Sequence, residues 1–210
     1  MKPPKDTLLE TKRILTSLLQ LLLMVLLLGA CAGQVIVSQE FPEPIAVPLP
    51  QRIGVYYNPE FLGYTYSDEE SKIRFELGSK QHSLFEKVFD AMFLQAITVT
   101  TIDATAAGVD VDLVIEPMLQ EYAFLSPAET ATSFYSVSLK YQIRIYSPDG
   151  SIIGYWPLVA FGKSRTRLMN KNESLGDATT MALRDVAAAM VSQFRNIVEK
   201  EEWKTAALDE

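Results

Sequence analysis

Two residue types that build many functional sites are almost missing from this chain. Its 210 residues include one cysteine, Cys31, and one histidine, His82. A disulfide framework needs at least two cysteines, and zinc sites draw their ligands mainly from several cysteines and histidines. Neither kind of site is expected, and we predict no metal or cofactor.

Known catalytic motifs are also absent. The sequence has no G-x-S-x-G nucleophile elbow, no Walker loop and no G-x-G-x-x-G fingerprint. A Ser-His-Asp triad would have to use His82, which stands in the polar stretch Lys80–Ser83 ahead of a helical pattern. We interpret His82 as an ordinary surface or capping residue.

Basic side chains are scarce relative to acidic ones. Lysine and arginine total 19 against 26 aspartate and glutamate residues, which gives a net charge of -7. Nucleic-acid binding depends mainly on cations that neutralise phosphates, so a nucleic-acid partner is not expected. With 48% hydrophobic residues, the chain is long enough for one domain with its own core.

A long apolar run leads up to the single cysteine. A basic segment closing at Arg13 is followed by an apolar run over 14–30 that finishes with Gly29 and Ala30. This order is typical of an export signal. A retained transmembrane anchor is the alternative, but the run falls short of the roughly 20 apolar residues a spanning helix needs.

The residues Leu28-Gly29-Ala30-Cys31 resemble the bacterial lipobox. The resemblance implies that residues 1–30 are a lipoprotein signal peptide and that the Cys31 sulfur carries a diacylglycerol. It also implies a cut before Cys31 and acylation of the new amino group, palmitate being a typical acyl chain. Two or three acyl chains anchor a protein stably, whereas one holds it only marginally.

The residue after the cysteine helps to predict in which membrane the protein resides. Ala32 stands where, in Gram-negative lipoproteins, an aspartate retains the protein at the inner membrane. By this resemblance we expect a lipid-anchored protein of the cell envelope, at the outer membrane and facing the periplasm.

Prolines mark a tether before the folded domain. Residues 31–51 contain four of them and little periodic pattern, which favours an extended spacer: Pro42, Pro44, Pro48 and Pro50. The β-prone stretch 34–38 could either dock as an edge strand or stay in the spacer. We place an α+β domain at 52–198 and an acidic tail at 199–210.

Hydrophobic periodicity predicts the elements of the domain. Strands are expected at 52–57, 72–77, 97–102, 111–116, 135–146 and 151–162. One helix, capped by Ser79 or Ser83, carries a wide apolar stripe: Leu84, Phe85, Val88, Phe89, Met92, Phe93 and Ala96. A second begins at Ser174 or Asp177 with this inner face: Ala178, Met181, Ala182, Val186, Met190, Phe194 and Ile197.

This order of elements predicts an α+β fold, a mostly antiparallel sheet with two helices on one face. Lipobox, proline-containing spacer, early strand, helix, a Pro-Asp-Gly hairpin at 148–150 and an alanine-rich last helix together resemble YajG-type and ABC-transporter-auxiliary envelope lipoproteins. The domain of those proteins is similar to the N-terminal domain of TolB. The resemblance implies no catalytic activity.

Two charged clusters are candidate sites. Asp110, Asp112, Glu116 and Glu121 could supply a glycosidase pair, but a solvated strand face explains them without chemistry. Lys163, Arg165 and Arg167 would project from one face of a strand, as a row able to meet an anionic lipid, polymer or protein partner. A charged edge that resists aggregation is the alternative for this row.

A third feature is the aromatic ridge of Phe85, Phe89 and Phe93, which is interpreted as core and not as a lipid groove. The leading functional prediction is a non-catalytic, lipid-anchored accessory or scaffold protein in transport, envelope assembly or surface-structure biogenesis. It would bind the membrane through the lipid on Cys31. It would also bind a protein partner in the envelope. The alternative is a carrier module for lipid or glycan, and a hydrolase comes last.

Overall fold

The computed structural model describes residues 17, 18, 20, 35, 37, 41–69, 72–167 and 171–200, the last six by backbone only. The chain divides into two units, Met1–Gly33 and Gln34–Glu210. In the first unit, Ser17, Leu18 and Gln20 are helical and exposed. Cys31, most of the predicted signal peptide and residues 201–210 lie outside the described residues.

The second unit is an α+β domain, as predicted. Seven strands and four helices are described, in this order: β1 Leu49–Tyr56, α1 Pro59–Leu62, β2 Thr65–Asp68, β3 Ile73–Glu76, α2 Gly78–Met92, β4 Phe93–Val99, β5 Leu113–Leu125, α3 Pro127–Thr130, β6 Phe134–Tyr146, β7 Ile152–Arg165 and α4 Lys171–Lys200. The main sheet has the order β4-β1-β5-β6-β7, and β2 and β3 form a separate hairpin.

Strand directions divide the main sheet into two parts. Strand β1 pairs in parallel with both β4 and β5, whereas β5, β6 and β7 pair antiparallel. A parallel neighbour requires a crossover connection, and α2 lies in the one that joins β1 to β4. The antiparallel part is built from the three longest strands, of 13, 13 and 14 residues.

The core lies between the sheet and the helices α2 and α4. Strand β6 buries alternate residues from Tyr135 to Ile145, as its pattern predicted. In α2 the rings of Phe85 and Phe89 are fully buried, and Phe85 packs against Tyr141 of β6 at 5.1 Å between centroids. The aromatic ridge is therefore core, as interpreted from the sequence.

One glycine sets the distance between β7 and α4. A Cβ atom on Gly162 would lie 2.0 Å from the Ala178 carbonyl oxygen and 2.3 Å from the Ala182 nitrogen. No side chain fits between strand and helix backbones at this point. Glycine at 162, together with alanines at 178 and 182, allows the helix to lie directly on the sheet.

Several element boundaries differ from the predicted ones. Helix α2 ends at Met92, so Phe93 and Ala96 belong to strand β4 and the predicted strand at 97–102 begins four residues earlier. Strand β5 starts after Asp112 and runs through Pro117 to Leu125. Pro117 is compatible with a strand here because the β1 pairing ends at Ile115, which leaves that edge of β5 without a ladder partner.

The two long helices also begin at other residues than predicted. Leu77 precedes α2 and no side-chain cap is made by Ser79 or Ser83. Helix α4 already begins at Lys171, and Met181, predicted to face inward, is 48% exposed. The remaining described members of the predicted inner face are buried, and Ile197 lies outside the residues whose side chains are described.

Part of the predicted spacer packs on the domain. Val35, Val37 and Phe41 are buried in the main core cluster, and Lys87 Nζ donates to the Phe41 carbonyl at 3.3 Å. Strand β1 then begins at Leu49, inside the proline-containing segment. Val35 and Val37 are not in a strand; the other residues of 34–38 lie outside the described part.

Candidate functional site

The two sides of the antiparallel sheet are covered unequally. In β7 the even-numbered residues from Gly154 to Gly162 are buried, whereas the odd-numbered residues from Pro157 to Arg165 are exposed. Residues paired across antiparallel strands project to the same side, so the register extends this exposed side onto β6 and β5. We call it the open face, and it comprises Glu121, Ala123, Leu125, Phe134, Ser136, Ser138, Lys140, Gln142, Pro157, Val159, Phe161, Lys163 and Arg165.

Large apolar side chains gather at one end of the open face. Leu125 is 50% exposed, Phe134 43%, Val159 47% and Phe161 64%. These four surround two cations, since Arg165 pairs with Phe134 and Lys163 pairs with Ser136, the neighbour of Leu125. We call these six residues the cationic–apolar corner; at ordinary strand spacings they cover about 10 by 20 Å.

The predicted cationic row contributes two of its three members to this corner. Lys163 and Arg165 are exposed on β7, and neither forms an ion pair within the described part of the chain. Arg167 follows the strand and binds the carboxylates of Glu173 and Asp177 on α4, the latter at 3.1 Å. Arg167 therefore ties the end of the strand to the helix.

Strand β7 is also an edge strand of the sheet. The alternative interpretation of the cationic row, a charged edge that resists aggregation, requires this position. The Phe161 N–H points outward and donates to Asp185 of α4 at 2.9 Å. By alternation, Pro157 places its missing N–H on the same outer edge, where no ladder bond is lost. The proline and the carboxylate both reduce the capacity of this edge to pair with another strand.

Glu116 is the one carboxylate of the candidate cluster that is buried. It accepts hydrogen bonds from Tyr146 Oη at 2.6 Å and Asn58 Nδ2 at 3.0 Å, and Arg144 Nη1 lies 3.5 Å away. Asn58 in turn caps α1 by accepting from the Phe61 N–H at 2.8 Å. Glu116 thus joins the start of α1 to the open-face side of β5 and β6.

The same network changes the acidity of Tyr146. Burial of the phenol and its hydrogen bond to Glu116 raise the pKa of Tyr146 to about 12. The hydroxyl therefore remains a proton donor to the carboxylate across the neutral range. This arrangement holds the strands together.

The other three carboxylates are held separately. Asp110 and Asp112 precede β5, so the prediction that they share a solvated strand face with Glu116 is wrong. Arg52 donates two hydrogen bonds to Asp110 and its backbone N–H to Asp112 at 2.7 Å. These bonds and the Arg52 charge lower the pKa of Asp110. Glu121 is ion-paired with Lys140 on the open face.

His82 takes part in aromatic packing at the start of α2. The His82 ring packs edge-on against Tyr57 with centroids 4.5 Å apart, in a half-buried position. Across the described residues, no cluster of three or more histidine, cysteine, aspartate or glutamate side chains could hold a metal ion. His82 is placed as a packing residue at the start of α2.

An apolar groove lies on the helix side of the domain. It has a volume of about 400 Å³ and is bounded by the segment 41–45 on one side and by α2 and α4 on the other: Phe41, Pro42, Glu43, Pro44, Ile45, Leu84, Arg184, Ala187, Ala188, Val191 and Ser192. A second cavity of about 240 Å³ adjoins it at Ile45 and Val191 and ends at Leu49 and Met92.

The predicted lipid anchor is not tested by the structure. Cys31 lies outside the described residues, so its lipidation stays a prediction from the lipobox. Among the residues that are described, no helix is both long enough and apolar enough to span a membrane.

The sequence interpretation missed the apolar half of the corner. Val159 and Phe161 alternate with buried residues in β7, and this alternation is visible in the sequence. Leu125 could not be placed beside them, because a register shift between Leu119 and Glu121 decides which β5 side chains face outward. The groove was also missed, because the prolines that line it were assigned to a spacer.

Comparison with known proteins gives structural likenesses only. No protein-family model and no curated protein sequence matches the chain. A Xanthomonas campestris protein of the family DUF330 aligns over 81% of this chain and 96% of its own, at 8% identity and a TM-score of 0.48. A hypothetical protein from Chlamydia trachomatis aligns over 76% and 99%, at 12% identity and a TM-score of 0.42.

A further likeness is to a minor lipoprotein from Acinetobacter baumannii. It covers 70% of this chain and 92% of its own, at 12% identity and a TM-score of 0.39. Proteins described as lipoproteins are thus among those to which the chain is similar. No activity is carried over from any of them.

Proposed function

We propose that this chain is a non-catalytic, lipid-anchored accessory protein of the bacterial cell envelope. Its α+β domain is held at the membrane by the lipid on Cys31 and acts by binding. The observation that carries the proposal is the division of the surface. The open face and the groove are broad surfaces suited to contact, whereas the acidic side chains that could have served catalysis are engaged in separate networks around Arg52, Lys140 and Tyr146.

The anchor is tested by removing the thiol. In a Cys31→Ser variant expressed in a Gram-negative host, metabolic labelling with an alkyne fatty acid should disappear and the uncleaved precursor should accumulate. A matched control, Ser38→Ala, keeps the thiol and should be labelled like the parent. A Cys31→Ser protein that stays membrane-bound at mature size would contradict the anchor.

The accessory role is tested by crosslinking in intact envelopes. We expect the lipidated protein to capture a defined envelope protein after mild crosslinking and pull-down, and the Cys31→Ser variant to lose that capture. Capture of nothing above the level of an unrelated lipoprotein of similar abundance would count against an accessory function.

The groove supports a second candidate, a carrier for an apolar ligand. Its volume lies within the usual range for small-molecule sites, and its lining is mainly aliphatic and aromatic, with Glu43 and Arg184 at the rim. Mass spectrometry of the purified protein should then find a bound lipid, and an Ala188→Trp variant should lose it. Protein that carries no lipid after gentle purification would remove this candidate.

A further inference from the structure

We propose that the cationic–apolar corner rests on the anionic phospholipid surface of the membrane that carries the anchor. This inference depends on the proposed function, because the lipid on Cys31 is what brings the domain to that membrane. It adds an orientation: the open face is turned toward the headgroups at the end formed by Leu125, Phe134, Val159, Phe161, Lys163 and Arg165.

Charge at the corner is the first argument. Two other cations lie on or beside the open face, and both are paired with a carboxylate. Lys140 pairs with Glu121, and Arg144 pairs with Glu116. Lys163 and Arg165 have no ion-pair partner within the described ranges, so their charge is available to an anionic surface. In a chain of net charge -7, this corner offers a membrane an attractive contact where most of the surface is repelled.

Apolar exposure at the same place is the second argument. Phe161 and Leu125 expose at least half of their surface, and Phe134 and Val159 somewhat less. Aromatic and aliphatic side chains bordered by lysine and arginine suit the boundary between headgroups and acyl chains. Either feature alone is common on protein surfaces, whereas the register of β5, β6 and β7 brings both together.

The expected strength makes this an orienting contact. A lysine or arginine near an anionic membrane contributes about 1 kcal/mol, so the two cations together change the ratio of docked to undocked domain by about 30-fold. The acyl chains provide the attachment itself. Salt should weaken the contact, since exposed charges are screened within about 10 Å at 0.1 M.

The single cysteine makes a direct experiment possible. Because Cys31 is consumed by acylation, a Ser136→Cys variant of the lipidated full chain offers one free thiol, at the centre of the corner, for a nitroxide label. A Met181→Cys variant places the same label on the exposed side of α4, and a Ser138→Cys variant replaces Ser136→Cys if the first fails to fold. Each protein is reconstituted in phosphatidylcholine vesicles with or without phosphatidylglycerol.

The measurement is the collision rate of the nitroxide with a water-soluble nickel chelate. On vesicles with phosphatidylglycerol, the label at 136 should become shielded and the label at 181 should not; high salt should reverse the shielding. Adding Lys163→Gln with Arg165→Gln should lower the docked-to-undocked ratio about 30-fold. The charge-matched control, Lys72→Gln with Arg74→Gln, removes two exposed cations elsewhere and should leave the ratio unchanged.

Three outcomes would overturn the inference. Equal exposure of the 136 label on both kinds of vesicle excludes docking on anionic lipid. Shielding that grows with protein density assigns the corner to a second copy, and shielding only after adding envelope proteins assigns it to a protein partner. Failure of the anchor is distinguished by flotation: if the protein does not float with the vesicles the proposed function fails, and if it floats unshielded only the docking fails.

Discussion

Phe161 and Gly162 are neighbours in β7 and face opposite environments. Phe161 leaves 64% of its surface exposed on the open face, whereas Gly162 lies against the backbone of α4 with no room for a methyl group. The same alternation separates Phe134 from Tyr135 on β6. The covered face of the sheet therefore determines stability, and the open face, with large side chains that contribute little to folding, is available for contacts.

The largest expected difference between the two faces comes from truncating one phenylalanine on each side. Phe85→Ala empties a fully buried position that packs on Phe61, Phe89 and Tyr141, and should lower the free energy of unfolding by about 4 kcal/mol. Phe161→Ala should change it by less than about 0.5 kcal/mol. Denaturant titration followed by tryptophan fluorescence measures both, and similar losses would contradict the division.

Adding a methyl group tests the covered face from the other direction. Gly162→Ala forces β7 away from α4 and should cost about 3 kcal/mol, through overpacking against Ala178 and Ala182. Lys163→Ala, one residue along and on the open face, serves as its control and should be close to neutral. A stable Gly162→Ala protein would show that the helix does not lie on the strand as described.

The Glu116 network joins α1 to strands β5 and β6. Its loss should have an intermediate effect on the free energy of unfolding. Tyr146→Phe removes a 2.6 Å hydrogen bond to a buried carboxylate, at an expected cost of about 2 kcal/mol. Tyr155→Phe, on the same strand pair but in a more exposed position, is the matched control. An unchanged denaturation midpoint for Tyr146→Phe would mean that Glu116 finds its partners elsewhere.

The pKa of Tyr146 predicts a pH dependence of known sign. Its folded value of about 12 lies above the usual value of 10, so its stabilising contribution is fully present below pH 10 and is lost as the pH rises toward 12. Burial also raises the pKa of Tyr57, Tyr122 and Tyr141. The difference in unfolding free energy between parent and Tyr146→Phe should therefore shrink from pH 10 to 12; a constant difference would contradict this assignment.

The smallest stability effect is expected at the corner. Lys163→Gln with Arg165→Gln removes two exposed charges without ion-pair partners in the described chain. The free energy of unfolding, measured by thermal unfolding, should therefore lie within about 0.5 kcal/mol of the parent value. Destabilisation well beyond this would mean that the two cations support the fold, and the corner would then lose its interpretation as a contact surface.

Much of the covered face could be predicted from the sequence, because burial leaves a period in it. The alternation over β6 and the stripe on α2 both predicted buried residues correctly. The stripe failed only at Phe93 and Ala96, where β4 follows the helix without a loop and also needs apolar residues. Met181 was misplaced because its position on α4 lies outside the buried stripe formed by Ala178, Ala182 and Val186.

The open face was harder to predict, because it depends on distant partners. Lys163 and Arg165 follow from alternation, whereas Arg167 is engaged by two carboxylates of the following helix. The shift near Gln120 decides that Leu125 joins the corner, and no local pattern encodes it. Charge pairs such as Arg52 with Asp110 join residues 58 positions apart, which one sequence does not reveal.

Attachment of the domain to a membrane through its single cysteine can be measured by intact-protein mass spectrometry of the chain extracted from bacterial membranes. We expect a mature protein that begins at Cys31 and carries the added mass of a diacylglycerol and a further acyl chain. A chain that retains residues 1–30, or that begins at or near Cys31 without any lipid mass, would contradict it.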